Sequence, residues 1–82
     1  MKIKLTKHVL EKLVVRRIER KLVESCVESP DFIFPEENGK KAYLKDLGKN
    51  YLRAIVAEED AELVVVTVHW FAKARFKSYN PN

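Results

Sequence analysis

Two imidazoles, His8 and His69, are the side chains of this sequence whose ordinary pKa lies near neutral pH. His69 lies near the end of Glu62-Leu63-Val64-Val65-Val66-Thr67-Val68-His69-Trp70, the longest β-branched run in the chain. On a strand, Thr67 and His69 share a face. An imidazole beside cations can move a proton while charge develops on a transferring phosphate. Arg53 and Lys45 are suitable cations, and each has a tyrosine two residues before it, Tyr51 and Tyr43. Cations on phosphates and rings on bases are how sheet faces hold single-stranded RNA. His8, Lys12 and Arg16 are spaced to form a cationic row on one helix face. Lys73 and Arg75 lie in an acid-free stretch from 71 to 82 and add to the basic surface.

Period-two alternation ties most of these groups together. If Ala42, Leu44, Leu52, Ala54, Val56, Val64, Val66 and Val68 face a helical layer, then Tyr43, Lys45, Tyr51, Arg53, Thr67 and His69 point to the other side. Three readings of that face stay open. It is catalytic, or it binds without catalysis, or it is an ordinary polar face with cross-strand pairs. With Ile55, Val65 and Trp70 nearby, it would also suit burial in a homodimer. For the row of His8, Lys12 and Arg16, a solvated helix face is the simpler account.

Other chemistry is not indicated. Cys26 falls in an apolar stripe and reads as a buried structural thiol. Two His and one Cys scattered along the chain make no metal-binding pattern, so neither metal nor cofactor is expected. Gly39 and Gly48 are isolated turn residues and do not make a phosphate-cradling loop. Glu36-Glu37 and Glu58-Glu59-Asp60 fall at turns, where solvated charge is the default.

The elements that must position these groups can be read in order. Met1 to Leu5 alternates as an edge strand, and Thr6 is a natural N-cap. Two apolar stripes follow, Val9-Leu10-Leu13-Val14 and Ile18-Leu22-Val23-Cys26-Val27. Arg16, Arg17 and Arg20 put them out of phase, so helices over about 7–15 and 18–28 are expected, with a break at Arg16-Arg17. Ser29-Pro30 stops the second helix. Strands are expected over 31–35, 41–47, 51–57 and 62–70, with a hairpin turn at Asn38-Gly39. The predicted architecture is α+β, ordered β-α-α-β-β-β-β, an antiparallel sheet with two helices on one face. The strand from Glu62 is expected to be central, and 71–82 forms a basic aromatic tail with a turn-like end from Tyr79.

Eighty-two residues make one small domain with one core. A charged fraction of 34% and a net charge of +4 favour an acidic or polyanionic partner. The single cysteine suits a reducing compartment, and no apolar run approaches the roughly 20 residues that span a bilayer. A cytoplasmic protein without a membrane partner is expected.

Thr6-Lys7-His8-Val9, Arg16-Arg17-Ile18, Ser29-Pro30-Asp31, Tyr43 and Val65-Val66-Thr67-Val68 resemble the family catalogued as domain of unknown function 4258. The similarity runs from about Ile3 to Arg75. The family's Thr-x-His-Ala start matches Thr6 and His8, with Val9 where Ala is usual. Lys12 stands where the family has Arg, Arg16 matches the Arg before the inter-helix turn, and Arg17 replaces the usual Gly. Thr67 and Val68 match the late Thr-Val, and His69 occupies the variable place after them. Members resemble the RelE/ParE toxin fold. The resemblance implies a metal-independent endoribonuclease of a toxin–antitoxin system, with RNA, ribosome-bound for some relatives, and an acidic antitoxin as partners. In that scheme His8 or His69 moves the proton, and Arg53, Lys45 and Arg16 hold the phosphate.

Overall fold

Thr6 opens the first helix as its residue type requires. Its Oγ1 accepts a hydrogen bond from the Val9 amide at 3.2 Å, which satisfies one of the free donors of the first turn. In the computed structural model, which describes residues 2–79, that helix is α1, Lys7–Arg16. Arg17 then takes a left-handed conformation, φ 53°. The Ile18 amide returns to the Leu13 carbonyl at 2.9 Å, and Arg17 to Val14 at 3.3 Å. That pair of bonds is a Schellman stop, and Leu13 and Ile18 are both buried in the same core cluster. Helix α2, Arg20–Glu28, follows as a separate helix and ends before Ser29-Pro30.

The fold is α+β with a five-stranded mixed sheet. Strands β1 (Lys2–Leu5), β2 (Phe32–Pro35), β3 (Lys41–Asp46), β4 (Asn50–Glu59) and β5 (Glu62–Ala72) lie in the order β1-β5-β4-β3-β2. An all-antiparallel sheet was expected, but β1 runs parallel to β5, Lys2 to Leu5 pairing Glu62 to Val65. The α1–α2 pair carries the chain back across the sheet, which makes a parallel neighbour reachable. Strand β5 is interior only over that short overlap. Beyond Val65 its outer edge has no strand partner among the described residues. A third helix that was not expected, α3 (Lys73–Tyr79), occupies the start of the basic tail, and β5 itself continues to Ala72. Residues 80–82 of the expected turn-like end lie outside the described residues.

Both hairpin turns use positive φ, one at residues that tolerate it and one partly at an alanine. Asn38 and Gly39 (φ 60° and 74°) turn β2 into β3. Asp60 and Ala61 (φ 48° and 63°) turn β4 into β5, so the acidic segment Glu58-Glu59 belongs to β4.

Both sheet faces are covered. On one, Val9, Leu13, Val23, Cys26 and Val27 from the helices and Ile18 between them meet Leu5, Tyr43, Leu52, Ala54, Val56, Val65 and Val68. The Cys26 thiol, fully buried, reaches the carbonyls of Tyr43 and Leu52 at 3.4 and 3.5 Å, and burial pushes its pKa up to about 12. It is an inert core group. On the other face Ala42, Leu44, Tyr51 and Phe71 form a second cluster with Phe34, Ile55 and Phe76. No helix among the described residues is long and apolar enough to cross a membrane.

Candidate functional site

Arg53 and His69 are directly opposed on β4 and β5, on the face away from α1 and α2. Arg53 Nη1 lies 3.2 Å from His69 Nε2. A guanidinium can only donate, so Nε2 accepts and the neutral ring carries its proton on Nδ1. Burial holds the His69 pKa below its ordinary value, and the charges of Arg53, Arg16 and Arg75 lower it further. The imidazole is therefore neutral at physiological pH.

Phe71 gathers the cations. The guanidinium carbons of Arg53 and Arg75 lie 5.5 and 5.1 Å from its ring centre, and the His69 ring lies 6.3 Å away. Arg16 arrives from the end of α1, its Nη1 donating to the Val68 carbonyl at 2.6 Å on the outer edge of β5. Glu36, just past β2, forms an ion pair with the Arg53 guanidinium. Thr67 stands on the same face, two residues before His69.

The other expected site residues divide. Tyr43 and Lys45 were assigned to the face with Arg53, but they lie under the helices. Tyr43 pairs Ala54 in the helix-side core, and Lys45 Nζ donates to the Ser29 carbonyl at 2.9 Å, at the C-terminal end of α2. Their alternation with Ala42 and Leu44 was read with the sides exchanged. Both parities are apolar there because both faces are packed, so composition carried no sign. On β5 a bulge supplies the second correction. Ile55 pairs Thr67 but Val56 pairs Val65, which leaves Val66 as the extra residue. Val65, not Val64, therefore enters the helix-side core, while Val68 below the bulge is there as expected. Trp70 also faces the helices, its indole Nε1 donating to the Arg16 carbonyl at 3.0 Å.

Tyr51 does point away from α1 and α2, but α3 covers it. Phe76 stacks on it with ring centres 4.7 Å apart, and its exposure is 7%. Lys73 is held by Asp46 at 2.7 Å and sits 4.9 Å from the Tyr51 ring centre. That contact lowers the Asp46 pKa and raises that of Lys73. His8 is exposed on the first turn of α1, roughly 12 Å of helix rise from Arg16, and Lys12 lies between them. The structure thus assembles His69, Arg53, Thr67, Arg16 and Arg75, and leaves His8 outside that group.

Glu36 was read as turn charge. Its parity was a usable signal, since Phe32, Phe34 and Glu36 alternate on one side of an extended segment. Phe71 and Phe76 had no comparable signal, because their role depends on how β5 and α3 meet.

Residues 5–70 match the family described as domain of unknown function (DUF4258). This chain belongs to that family. No curated protein and no solved structure matches it. Within the family match fall His69, Arg53, Thr67, Arg16 and Glu36, whereas Arg75 and Phe76 of α3 lie beyond it.

Proposed function

We propose that this protein is a metal-independent endoribonuclease of the RelE/ParE toxin type. The observation that supports the reading is a neutral imidazole, His69, in contact with Arg53 and within the field of Arg16 and Arg75. In the proposed reaction, Nε2 takes the proton of a ribose 2′-hydroxyl, and the 2′-oxygen attacks the adjacent phosphorus. The bond to the 5′-oxygen breaks, a 2′,3′-cyclic phosphate forms, and the leaving oxygen takes a proton from water, whose hydroxide is neutralised by the proton held on His69. Arg53 and Arg75 stabilise the charge on the phosphate oxygens during attack.

At rest Arg53 occupies the Nε2 lone pair and also holds Glu36. An incoming phosphate competes for that guanidinium, and its withdrawal frees the base. Substrate binding and base activation are then one event. The partner of such an enzyme is RNA, free or ribosome-bound, and its control would come from an acidic antitoxin protein.

An RNA cleavage assay with and without ribosomes tests the reading. Cleavage should leave 2′,3′-cyclic phosphate ends. His69→Ala should lower the rate by about 100-fold or more, and Arg53→Ala by about 100-fold. His8→Ala should leave it unchanged. Absence of cleavage, or full activity in His69→Ala, would falsify the assignment.

A second reading is favoured by the prior engagement of Arg53 with Glu36 and by the cover over Tyr51. Under it the same face is a non-catalytic module for nucleic acid, protein or a second copy. RNA retention without cleavage, or a dimer that buries Arg53 and Thr67, would select it.

A further inference from the structure

The two tyrosines expected to stack on bases are both buried, and Phe32, the exposed ring on the face with Arg53, already packs against Phe76. A ring is available across the sheet. Trp70 is 38% exposed and lines an open pocket of about 450 Å³ with Leu22, Leu47, Lys49 and Asn50. That volume lies within the roughly 300–1,000 Å³ usual for small-ligand sites. We propose that this pocket binds the base of an unpaired RNA nucleotide, an inference that rests on the ribonuclease reading and names how its substrate is held.

Four observations carry it. The indole is oriented by its hydrogen bond to the Arg16 carbonyl, so Trp70 presents a fixed ring. Leu22 and Leu47 provide apolar wall, as a base sandwiched out of water requires. The pocket also holds one amide and one ammonium, Asn50 and Lys49, whose side chains have no hydrogen-bond or ion-pair partner among the described residues. An amide donates and accepts at once, which matches the edge of a base, and an ammonium suits the phosphate. An aliphatic side chain of a protein partner would use neither.

The fourth observation is position. His69 and Trp70 are consecutive on β5 and face opposite sides of the sheet, at the stretch whose outer edge has no strand partner among the described residues. Arg16 sits at that edge. Its guanidinium bonds the Val68 carbonyl and lowers the His69 pKa by its charge, while its own carbonyl holds the indole. A single strand that crosses the β5 edge passes Arg16 with a phosphate on the His69 side and a base on the Trp70 side.

Trp70 is the single tryptophan of the chain, so its emission reports the pocket directly. The test titrates the full chain with a single-stranded 2′-O-methyl oligonucleotide, which cannot be cleaved by 2′-hydroxyl attack. Fluorescence of Trp70 and anisotropy of end-labelled oligonucleotide are read together. Saturable quenching is expected, with a midpoint equal to the anisotropy midpoint. Trp70→Ala should weaken binding by about 5- to 150-fold, the range for loss of one stacked base. Asn50→Ala, which leaves the ring and the apolar wall in place, should weaken it and change preference among homopolymers. Trp70→Phe should recover most of the affinity. Binding that neither quenches Trp70 nor responds to Asn50→Ala overturns the pocket, and so does quenching by an apolar peptide with none by the oligonucleotide. The two readings fail separately. Quenching with no cleavage of ordinary RNA removes the catalytic proposal and leaves the pocket, and cleavage without quenching does the reverse.

Discussion

At the scale of the residue, the defining arrangement is the sharing of one guanidinium between an imidazole and a carboxylate. The His69 pKa is held below the ordinary imidazole value, first by burial and then by Arg53, Arg16 and Arg75. The unfolded chain therefore binds this proton more readily than the native one. The stability that neutral His69 contributes is full above about pH 6.5, the unfolded value, and is lost as the pH falls toward the depressed native pKa. Titration of the His69 ring by NMR should place its midpoint below the ordinary imidazole value of about 6.5, and Arg53→Ala should move it upward. A midpoint at or above about 6.5 would contradict the geometry. Glu36 carries the matching prediction. Glu36→Gln removes the carboxylate that competes for Arg53. It should cost about 1–3 kcal/mol of stability, since a charge-assisted bond between partly buried groups is weakened. RNA should nevertheless bind about 5-fold more tightly, a gain of about 1 kcal/mol at the upper end of surface ion-pair terms. Denaturant unfolding and an oligonucleotide titration on the same sample measure both.

At the scale of the element, two turns are made by residues poorly suited to them. Arg17 ends α1 at φ 53° and Ala61 sits at φ 63° between β4 and β5. Both conformations put a Cβ near a carbonyl oxygen, at about 1–2 kcal/mol. Glycine avoids that contact but is freer in the unfolded chain. Arg17→Gly and Ala61→Gly should each therefore stabilise the fold by up to about 1 kcal/mol, additively because the two turns are separate. Thermal unfolding of the single and double variants checks this. A destabilised Arg17→Gly would mean that the arginine side chain, not the turn, holds the α1–α2 angle.

At the scale of the whole molecule, the sheet is a central layer covered twice. Helices α1 and α2 cover one face, and β2 aromatics with α3 cover part of the other. A chain of this size buries too little surface for a second core to be idle. Phe76 touches Phe32, Phe34 and Tyr51, with ring centres 4.9, 6.1 and 4.7 Å away. Phe76→Ala should cost about 2 kcal/mol, less than for a fully buried ring because Phe76 is only partly covered. That corresponds to a fall in Tm of roughly 10 °C for a domain of this length. Unchanged Tm would show that α3 adds nothing to the stability of that face.

The amino-acid sequence by itself determined the local events. Thr6 caps α1, the phase change at Arg16-Arg17 breaks the helices, Pro30 ends α2, and Asn38-Gly39 turns a hairpin. Each depends on interactions within a few residues, and apolar spacing also marked Cys26 as core. Alternation likewise put Arg53, Thr67 and His69 on one face, since parity within a strand is a local property. Tertiary structure decided the sign and the partners. Tyr43 and Lys45 changed sides because a strand packed on both faces is apolar at both parities. The bulge at Val66 shifted the upper half of β5 by one residue, which only its pairing with β4 could specify. The parallel placement of β1, the ion pair of Glu36 with Arg53 and the contact of Arg16 with both Val68 and Trp70 join positions distant in the chain. Long-range closure has no local periodicity to announce it, which is why His69 was legible as a candidate and its surroundings were not.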